Sequence, residues 1–331
     1  MKKKVRLTCL ACCALLLLIS CTANLAKKPQ EAVQDPPPET AAADTDPSSE
    51  SQDTGAKKKP KPKPEPTPEP AAPDTELSFD GLSMAFGFSD LTGNRLIIVD
   101  YIQDYEDEYD GPNYEDPAQY TVAVGPYGEL VRISYSGWQD ETAENDYRDA
   151  AYNFDNLSGY VYNTVGGRLQ PDNTYILTTE EPLTGALIKL SPSSPPAIMD
   201  SDTEDYIHSI KGRGVKRGEM LAETEGGGRI GMVLFERLGD DMLFSIVYMD
   251  GEKVLFWDCQ GEYDEFSTWR VDMGDEPGGF TPLCLARLDD GLLLLLTWRA
   301  PEGELIVSLG ESRGRLVETA DYHYGRYLSP P

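Results

Sequence analysis

The folded part of the chain is predicted to be all-β and antiparallel. Short apolar runs separated by turn residues fill most of residues 77–331, and helical periodicity is scarce. A shift of fifty residues also places 228–277 onto 278–327, with four predicted strands in each unit. Because four strands in 40–50 residues is the spacing of β-propeller blades, the sequence predicts a propeller-like arrangement.

The two repeat units match best at their turns. Gly228 falls on Gly278, Arg237 on Arg287 and Asp240 on Asp290. The predicted strands are Ile230–Leu238, Met242–Met249, Lys253–Cys259 and Phe266–Met273, then Thr281–Leu288, Leu292–Arg299, Glu304–Leu309 and Arg315–Asp321.

Two of these strands are continuously apolar, Leu292–Leu296 and Val254–Trp257. Strands of this kind are buried on both faces, whereas a strand with one solvated face alternates. The pattern therefore predicts a sheet stacked between other layers.

Residues 77–228 contain no clean copy of the repeat. One short helix is predicted at Glu141–Phe154, and an alternative fold remains open, two packed β domains with a sandwich-like first half. The strand-like pieces are Arg95–Val99, Tyr120–Val124, Leu130–Tyr135, Tyr160–Val165, Thr174–Thr178 and Ala186–Leu190.

Residues 1–20 have the pattern of a secretory signal. Four basic residues precede an apolar run from Leu7 to Ile19, which is short for a membrane span of about 20 residues. The end of the run, Leu18-Ile19-Ser20-Cys21, resembles the lipobox of bacterial lipoproteins. The resemblance implies cleavage after Ser20 and lipid attachment to Cys21; an uncleaved short anchor and an ordinary signal peptide are the alternatives. Two or three acyl chains would anchor the chain stably to the membrane.

Residues 21–76 are predicted to be a disordered tether behind the lipidated cysteine. They are rich in Ala, Pro, Ser, Thr and charged residues and cannot bury enough apolar surface to fold. Lys57–Pro73 alternates proline with charge, as in extended polyproline II spacers. We expect a stalk that holds the β-rich domain, residues 77–331, away from the membrane.

The charge balance restricts the partners. The chain carries a net charge of −28, and residues 77–331 alone hold 18 basic and 46 acidic residues. Nucleic acid is excluded because its phosphates need clustered Lys and Arg, and a cationic protein or glycan partner is favoured.

The segment Asp100–Asp116 holds the candidate metal ligands. Glu106, Glu108 and Asp110 alternate before Gly111, which resembles the front of a calcium loop, but Pro117 occupies the position of the closing glutamate. Calcium is the only cofactor that the sequence suggests. The alternatives for this tyrosine-rich segment are a solvated acidic loop and an acidic, aromatic platform for a cationic or sugar partner.

Two motifs typical of enzymes are predicted to be non-catalytic, the first a turn and the second a flexible loop that enters a sheet. Gly310-Glu311-Ser312-Arg313-Gly314 matches G-x-S-x-G, but too few residues follow for a hydrolase fold. Gly226, Gly228 and Gly231 match G-x-G-x-x-G but precede a strand instead of a helix.

The other candidate residues carry no specific signal. His208 and His323 lack a partner motif, and no glycosidase carboxylate pair can be chosen among so many acids. Four cations form a basic segment that suits either an anionic ligand or a solvated linker: Lys211, Arg213, Lys216 and Arg217.

Two cysteines, Cys259 and Cys284, remain after the signal and the anchor. Export favours a disulfide between them, whereas the repeat places them on strands that are not neighbours. The second argument predicts that they stay unlinked.

These features predict a lipid-anchored binding or scaffold module at the outer face of the cytoplasmic membrane or at the cell surface, with no catalytic residues assigned. An envelope hydrolase with paired carboxylates and a sensor or assembly subunit of a membrane complex are the alternatives.

Overall fold

The computed structural model describes residues 82–100, 116–181, 183–263, 279–289, 291–299, 303–319 and 324–328. The predicted signal and tether lie outside these ranges, as do Glu106, Glu108, Asp110, His323 and the predicted strand Phe266–Met273.

The described ranges contain seventeen strands and two α-helices. The helices are α1 (Leu183–Ala186) and α2 (Ser201–Lys211). The strands are β1 (Met84–Ser89), β2 (Arg95–Val99), β3 (Val122–Val124), β4 (Leu130–Gln139), β5 (Gly159–Thr164), β6 (Thr174–Thr178), β7 (Leu187–Ile188), β8 (Leu190–Ile198), β9 (Val215–Thr224), β10 (Arg229–Phe235), β11 (Asp241–Asp250), β12 (Lys253–Glu262), β13 (Phe280–Leu288), β14 (Gly291–Arg299), β15 (Gly303–Ser312), β16 (Arg315–Glu318) and β17 (Gly325–Tyr327).

The first six strands close into an antiparallel barrel in the order β1-β2-β5-β4-β3-β6. Its interior is filled by alternate side chains of these strands, among them Leu96, Tyr162 and Leu177. Strand β6 is buried along its whole length. Tyr175 faces the barrel interior while Ile176 belongs to a second core outside it, so the barrel is covered on that side.

The remaining strands form two open antiparallel sheets that face each other. The outer sheet has the order β12-β11-β10-β9-β8, and the central sheet has the order β16-β15-β14-β13-β7 with β17 paired to β15. The core between them combines Ile230, Phe244 and Ile246 of the outer sheet with Leu294 and Leu296 of the central sheet. The result is a β-sandwich.

The central sheet is buried on both faces. Leu292, Leu294 and Leu296 of β14 face the outer sheet, whereas Leu293 and Leu295 pack with the barrel residues. All five leucines are fully buried. The prediction from the continuous apolar run 292–296 is therefore confirmed.

Helix α2 covers the other face of the outer sheet through Ile207, which packs against Val233 and Val247. The Asp200 carboxylate caps its start by accepting a hydrogen bond from the Thr203 N–H at 2.9 Å. Gly212 ends it in the left-handed conformation with a φ of 63°.

The predicted all-β, antiparallel class is confirmed, and β2 and β6 have the predicted bounds. The propeller-like arrangement is not confirmed, because the described strands form one closed barrel and two open sheets. The alternative of a sandwich-like first half is wrong, since residues 84–178 contain the barrel. The helix predicted at 141–154 is also wrong; those residues form turns, and a 3₁₀ turn covers Phe154–Asn156.

A buried arginine on β17 connects the barrel to the central sheet. The Arg326 side chain is 1% exposed and pairs with Asp172 and with Glu304, which lies 3.8 Å away on β15. Its Nε donates to the Asp149 carbonyl at 2.8 Å. The guanidinium also lies 4.4 Å from the ring centroid of Phe88 on β1. This one side chain therefore contacts the loop residue Asp149, Asp172 before β6, and residues of β1 and β15.

We predict that Arg326→Met lowers the free energy of unfolding by about 3–5 kcal/mol, because it removes a buried charge that pairs with the partly buried Asp172 and Glu304 and with the Asp149 carbonyl. Urea denaturation of the full chain measures this. Arg132→Met is the matched control: its ion pair with Glu180 is exposed on both sides, and such pairs contribute about 1 kcal/mol or less. Equal losses in the two variants would contradict the role of Arg326.

Candidate ligand-binding surface

The connection between β4 and β5, residues 140–158, is here called the covering loop. It lies on the outside of the barrel, where Phe154 and Leu157 pack with Phe88, Ile97 and Val161. Phe154 meets Phe88 edge to face at 6.0 Å between ring centroids. This small core fixes the base of the loop on the barrel.

Buried polar side chains hold the loop without regular secondary structure. Asn153, 1% exposed, donates to the Arg148 carbonyl at 2.9 Å and to the Asn145 side chain at 2.8 Å. Gln139 donates to the carbonyls of Phe154 and Leu157 at 2.7 and 2.8 Å. These bonds, together with backbone bonds such as Thr142 N–H to the Asn156 carbonyl at 3.0 Å, hold the conformation of the loop.

An acidic turn ties the loop to the barrel. Asp90 binds the Arg95 guanidinium at 3.2 Å, and Arg95 reaches Asp155 of the loop at 2.7 Å. Burial acts to raise the pKa of Asp90, but hydrogen bonds from the Thr92 hydroxyl and from Arg95 and Asn94 outweigh it. The pKa of Asp90 is thus held below its ordinary value of 3.8.

A β-bulge sets the direction of Trp138 just before the loop. In the register, Tyr135 pairs with Tyr162, Gly137 with Val161 and Trp138 with Tyr160, so one extra residue of β4 lies between Tyr135 and Gly137. Trp138 therefore points to the same face as Tyr160, and their rings meet edge to face at 5.0 Å. Gly137 has a φ of 145°, a backbone conformation that favours glycine.

Three exposed aromatic side chains lie within residues 138–152. Trp138 is 45% exposed, Tyr147 70% and Tyr152 52%. Together with Asp140 and Asp146, their neighbours in sequence, they are here called the acidic aromatic surface. Large exposed aromatic residues are enriched at binding sites because they offer a wide apolar face with few rotatable bonds.

Two of these rings each donate a hydrogen bond to a carboxylate. The Trp138 indole N–H donates to Asp140 at 2.8 Å, and the Tyr152 hydroxyl donates to Asp146 at 2.8 Å. Asp146 also accepts from the Arg148 N–H at 3.1 Å. Each pair therefore presents an aromatic face with a negative charge fixed at its polar edge.

The surroundings of the surface are acidic and ordered. Four exposed carboxylates lie between 138 and 152, those of Asp140, Glu141, Glu144 and Asp146. Arg148 is half-buried and lies 3.8 Å from the ring centroid of Tyr327. The only cation of this stretch is therefore already engaged with an aromatic ring.

The candidate calcium ligands Glu106, Glu108 and Asp110 lie outside the described ranges, so that prediction is untested. Within those ranges no three His, Cys, Asp or Glu side chains are grouped as a metal site requires. His208 is exposed on α2.

Neither α1 nor α2, the helices of the described ranges, has the length and apolar character to cross a membrane.

The first glycine motif contains the predicted turn, and the second is a turn that leads into β10, which contains Gly231. Arg313 and Gly314, with φ values of 48° and 78°, form the two-residue connection between β15 and β16. Gly226 and Gly227 form the turn between β9 and β10. Ser312 belongs to this hairpin, paired with Arg315.

The basic segment 211–217 is used within the protein. Lys211 binds Asp258 at 2.7 Å, Arg213 is buried against Asp241 at 2.9 Å, and Arg217 pairs with Glu219. The idea of an anion site formed by these cations together is therefore not supported by their geometry.

The two cysteines are thiols on different sheets, Cys284 on β13 of the central sheet and Cys259 on β12 of the outer sheet. Cys284 lies in the core next to the barrel, whereas Cys259 of β12 packs on the core between the sheets. Full burial raises the pKa of the Cys284 thiol to about 12, so the thiolate needed for nucleophilic chemistry does not form at neutral pH.

Two shallow pockets lie elsewhere. One, of about 360 Å³, is bounded by Lys211, Trp257, Asp258 and Arg315, but Lys211 and Ser245 both bind Asp258 there. The other, of about 440 Å³, lies between Ile198, Glu204 and Lys216. Both have mixed charge, unlike the acidic aromatic surface.

Sequence reasoning missed Trp138, Tyr147 and Tyr152. The direction of the Trp138 side chain could not be predicted, because the extra residue of the bulge breaks the alternation that identifies the inward face of β4. The spacing Trp138-x-Asp140 and the run Asn145-Asp146-Tyr147 were the available signals, since Asn and Asp fix such turns.

Comparison of the chain with models of protein families, with characterised proteins and with solved structures gave no match. The functional interpretation therefore depends on the residues of the chain itself.

We predict that the stabilising effect of Asp90 depends on pH. Because the pKa of Asp90 is lower in the folded than in the unfolded chain, its contribution is complete above the ordinary value of 3.8 and is lost as pH falls through the folded pKa. The difference in unfolding free energy between the wild type and Asp90→Asn should therefore shrink from about pH 5 to about pH 2. A difference that stays constant in urea denaturation across this range would contradict the assignment.

Proposed function

We propose that the chain is a lipid-anchored binding module outside the cytoplasmic membrane, and that it holds its partner through the acidic aromatic surface. The signal-like residues 1–20 and the lipobox-like Leu18-Ile19-Ser20-Cys21 support export and attachment. The proline-rich tether supports a domain held away from the membrane.

The observation that carries the binding role is the combination of exposure and order in the covering loop. When a mobile side chain becomes ordered on binding, the entropy it loses weakens the affinity for the partner. Here Trp138 and Tyr152 are fixed by hydrogen bonds to Asp140 and Asp146, and the loop is fixed by Asn153. A partner would therefore meet a preorganised surface.

Charge supports a cationic partner. Residues 77–331 carry 18 basic and 46 acidic residues, and the exposed carboxylates around Trp138 and Tyr152 add to this field locally. Such a field attracts cations and repels anionic lipid and phosphate polymers.

We predict that wild-type chain incorporates radiolabelled palmitate and sediments with membranes, whereas Cys21→Ser loses the label, because that thiol is the proposed attachment site. Cys13→Ser is the matched control, since Cys13 lies within the proposed signal and should leave labelling intact. Labelling of Cys21→Ser, or no labelling of the wild type, would refute the anchor.

The binding surface is tested by photo-crosslinking in the cells that produce the chain. A benzophenone amino acid at Tyr147 or Tyr152 should form discrete adducts, because these positions would contact the partner. Tyr206 on α2 is the control, as it is 45% exposed and lies outside the surface. Equal adducts at all three positions would reject the surface, and turnover of a cell-wall glycan by the purified full chain would favour the envelope hydrolase instead.

A further inference from the structure

We infer that the groove between β12 and β16 binds an extended peptide strand of another protein. This groove, here called the edge groove, has a volume of about 360 Å³ and is lined by residues 256–258 of β12, residues 314–317 and Lys211. It belongs to the two facing sheets, whereas the acidic aromatic surface belongs to β4 and the covering loop. The inference therefore adds a second binding site and does not depend on the first.

Both strands that flank the edge groove are edge strands. Within the described part of the chain, β12 ends the order of the outer sheet and β16 ends that of the central sheet. In an antiparallel sheet, only every second residue of an edge strand exchanges hydrogen bonds with its neighbour. The residues between them direct their N–H and C=O groups away from the sheet.

The register shows which residues of β12 point outward. The Tyr263 N–H donates to the Asp240 carbonyl at 2.8 Å, so the odd-numbered residues of β12 exchange hydrogen bonds with β11. Phe256 and Asp258 are even-numbered, and their N–H and C=O groups therefore point away from β11. Both residues line the edge groove.

The same alternation applies to β16. The Thr319 N–H donates to the Ser308 carbonyl at 3.0 Å, in register with the pairing of β15 and β16. The odd-numbered residues of β16 therefore bond to β15, and the N–H and C=O groups of Leu316 point away from it. Leu316 also lines the edge groove.

These outward groups have no protein partner among the described residues. Strands β12 and β16 belong to different sheets, and no backbone hydrogen bond joins these two strands. Phe256 is 9% exposed and Leu316 2%, so water reaches their backbone groups poorly. Buried backbone groups are almost always paired in native proteins. The edge groove therefore presents donors and acceptors that a ligand can satisfy.

A peptide strand is the ligand that fits such groups, because its backbone carries donors and acceptors at the same spacing. The other edge of the outer sheet is blocked, since β8 contains Pro192, Pro195 and Pro196 and proline has no N–H to donate. Strand β12 contains no proline. The outer sheet is therefore protected from strand addition at one edge and lacks this protection at the other.

The side chains of β12 in the edge groove favour a neutral, apolar peptide. The Lys211 ammonium pairs with Asp258 at 2.7 Å and lies 4.0 Å from the Phe256 ring centroid, so the charges beside β12 are already balanced. Alternate side chains of a strand added to β12 would lie beside Phe256 on one face and beside Trp257 on the other. Apolar residues at these positions gain contacts with an aromatic ring.

The test is residue-resolved hydrogen exchange of the purified full chain in detergent micelles, with an acetylated octapeptide of alternating valine and threonine as the probe. Without peptide, the Phe256 and Asp258 amides should exchange at least about tenfold faster than the Trp257 amide, which bonds to β11. The octapeptide should slow both outward amides. The same octapeptide with N-methyl groups on two adjacent central residues has lost donors from both of its edges, and it should bind at least about fivefold more weakly.

Two variants at Asp258 isolate the outward N–H. Asp258→Ala removes the side chain and its pair with Lys211, whereas Asp258→Pro removes the outward N–H as well. We expect Asp258→Pro to bind the octapeptide at least about fivefold more weakly than Asp258→Ala. Thermal denaturation establishes that both variants are folded, and the N-methylated probe keeps the test decisive if the proline is not tolerated.

Four outcomes overturn the inference: outward amides as slow as that of Trp257 in the free chain, no slowing by the octapeptide, equal binding of the two probes, or equal affinities of the two Asp258 variants. A dimer in sedimentation that Asp258→Pro dissociates would show that a second copy of the chain occupies the edge groove, and would also overturn it. The crosslinks at Tyr147 and Tyr152 test the acidic aromatic surface separately, so failure of one site leaves the other standing.

Discussion

The burial of β14 on both faces is the constraint on which the rest of the domain depends. Leu292, Leu294 and Leu296 contact the outer sheet while Leu293 and Leu295 contact the barrel residues, and each is fully buried. Burying a leucine contributes about 1.5–3 kcal/mol, so five in one strand supply a large share of the hydrophobic free energy. Neither the barrel nor the outer sheet can cover both sets, so the three layers need one another.

The surface proposed for binding depends on this layering through the covering loop. The loop packs on the barrel through Phe154. Arg326 of β17 donates to the Asp149 carbonyl of the loop and also pairs with Asp172 and Glu304. The central sheet therefore helps to hold the loop from one side, and the Asp90–Arg95–Asp155 chain holds it from another. Exposed tyrosines can be kept in place there because buried polar groups beneath them are paired.

Much of the fold could be predicted because apolar runs and turn residues are local signals. The run 292–296 predicted a doubly covered strand, and Arg313-Gly314 a turn. Strand β8 was missed because its prolines argue against a strand, yet Pro192 is tolerated there since β8 lies at the edge of the outer sheet. The barrel could not be predicted, because its closure depends on pairings between strands distant in sequence, such as β1 with β6. The bulge that turns Trp138 toward Tyr160 was hidden for the same reason.

Native-state hydrogen exchange of the full chain tests most directly whether the central sheet unites the domain. Amides of β14, of β6 in the barrel and of β11 in the outer sheet should exchange with the same free energy of opening, equal to that of global unfolding, because loss of either neighbour exposes one face of the leucines. Exchange of the β6 amides at a much lower free energy than those of β14 would show that the barrel unfolds independently, and would contradict the account.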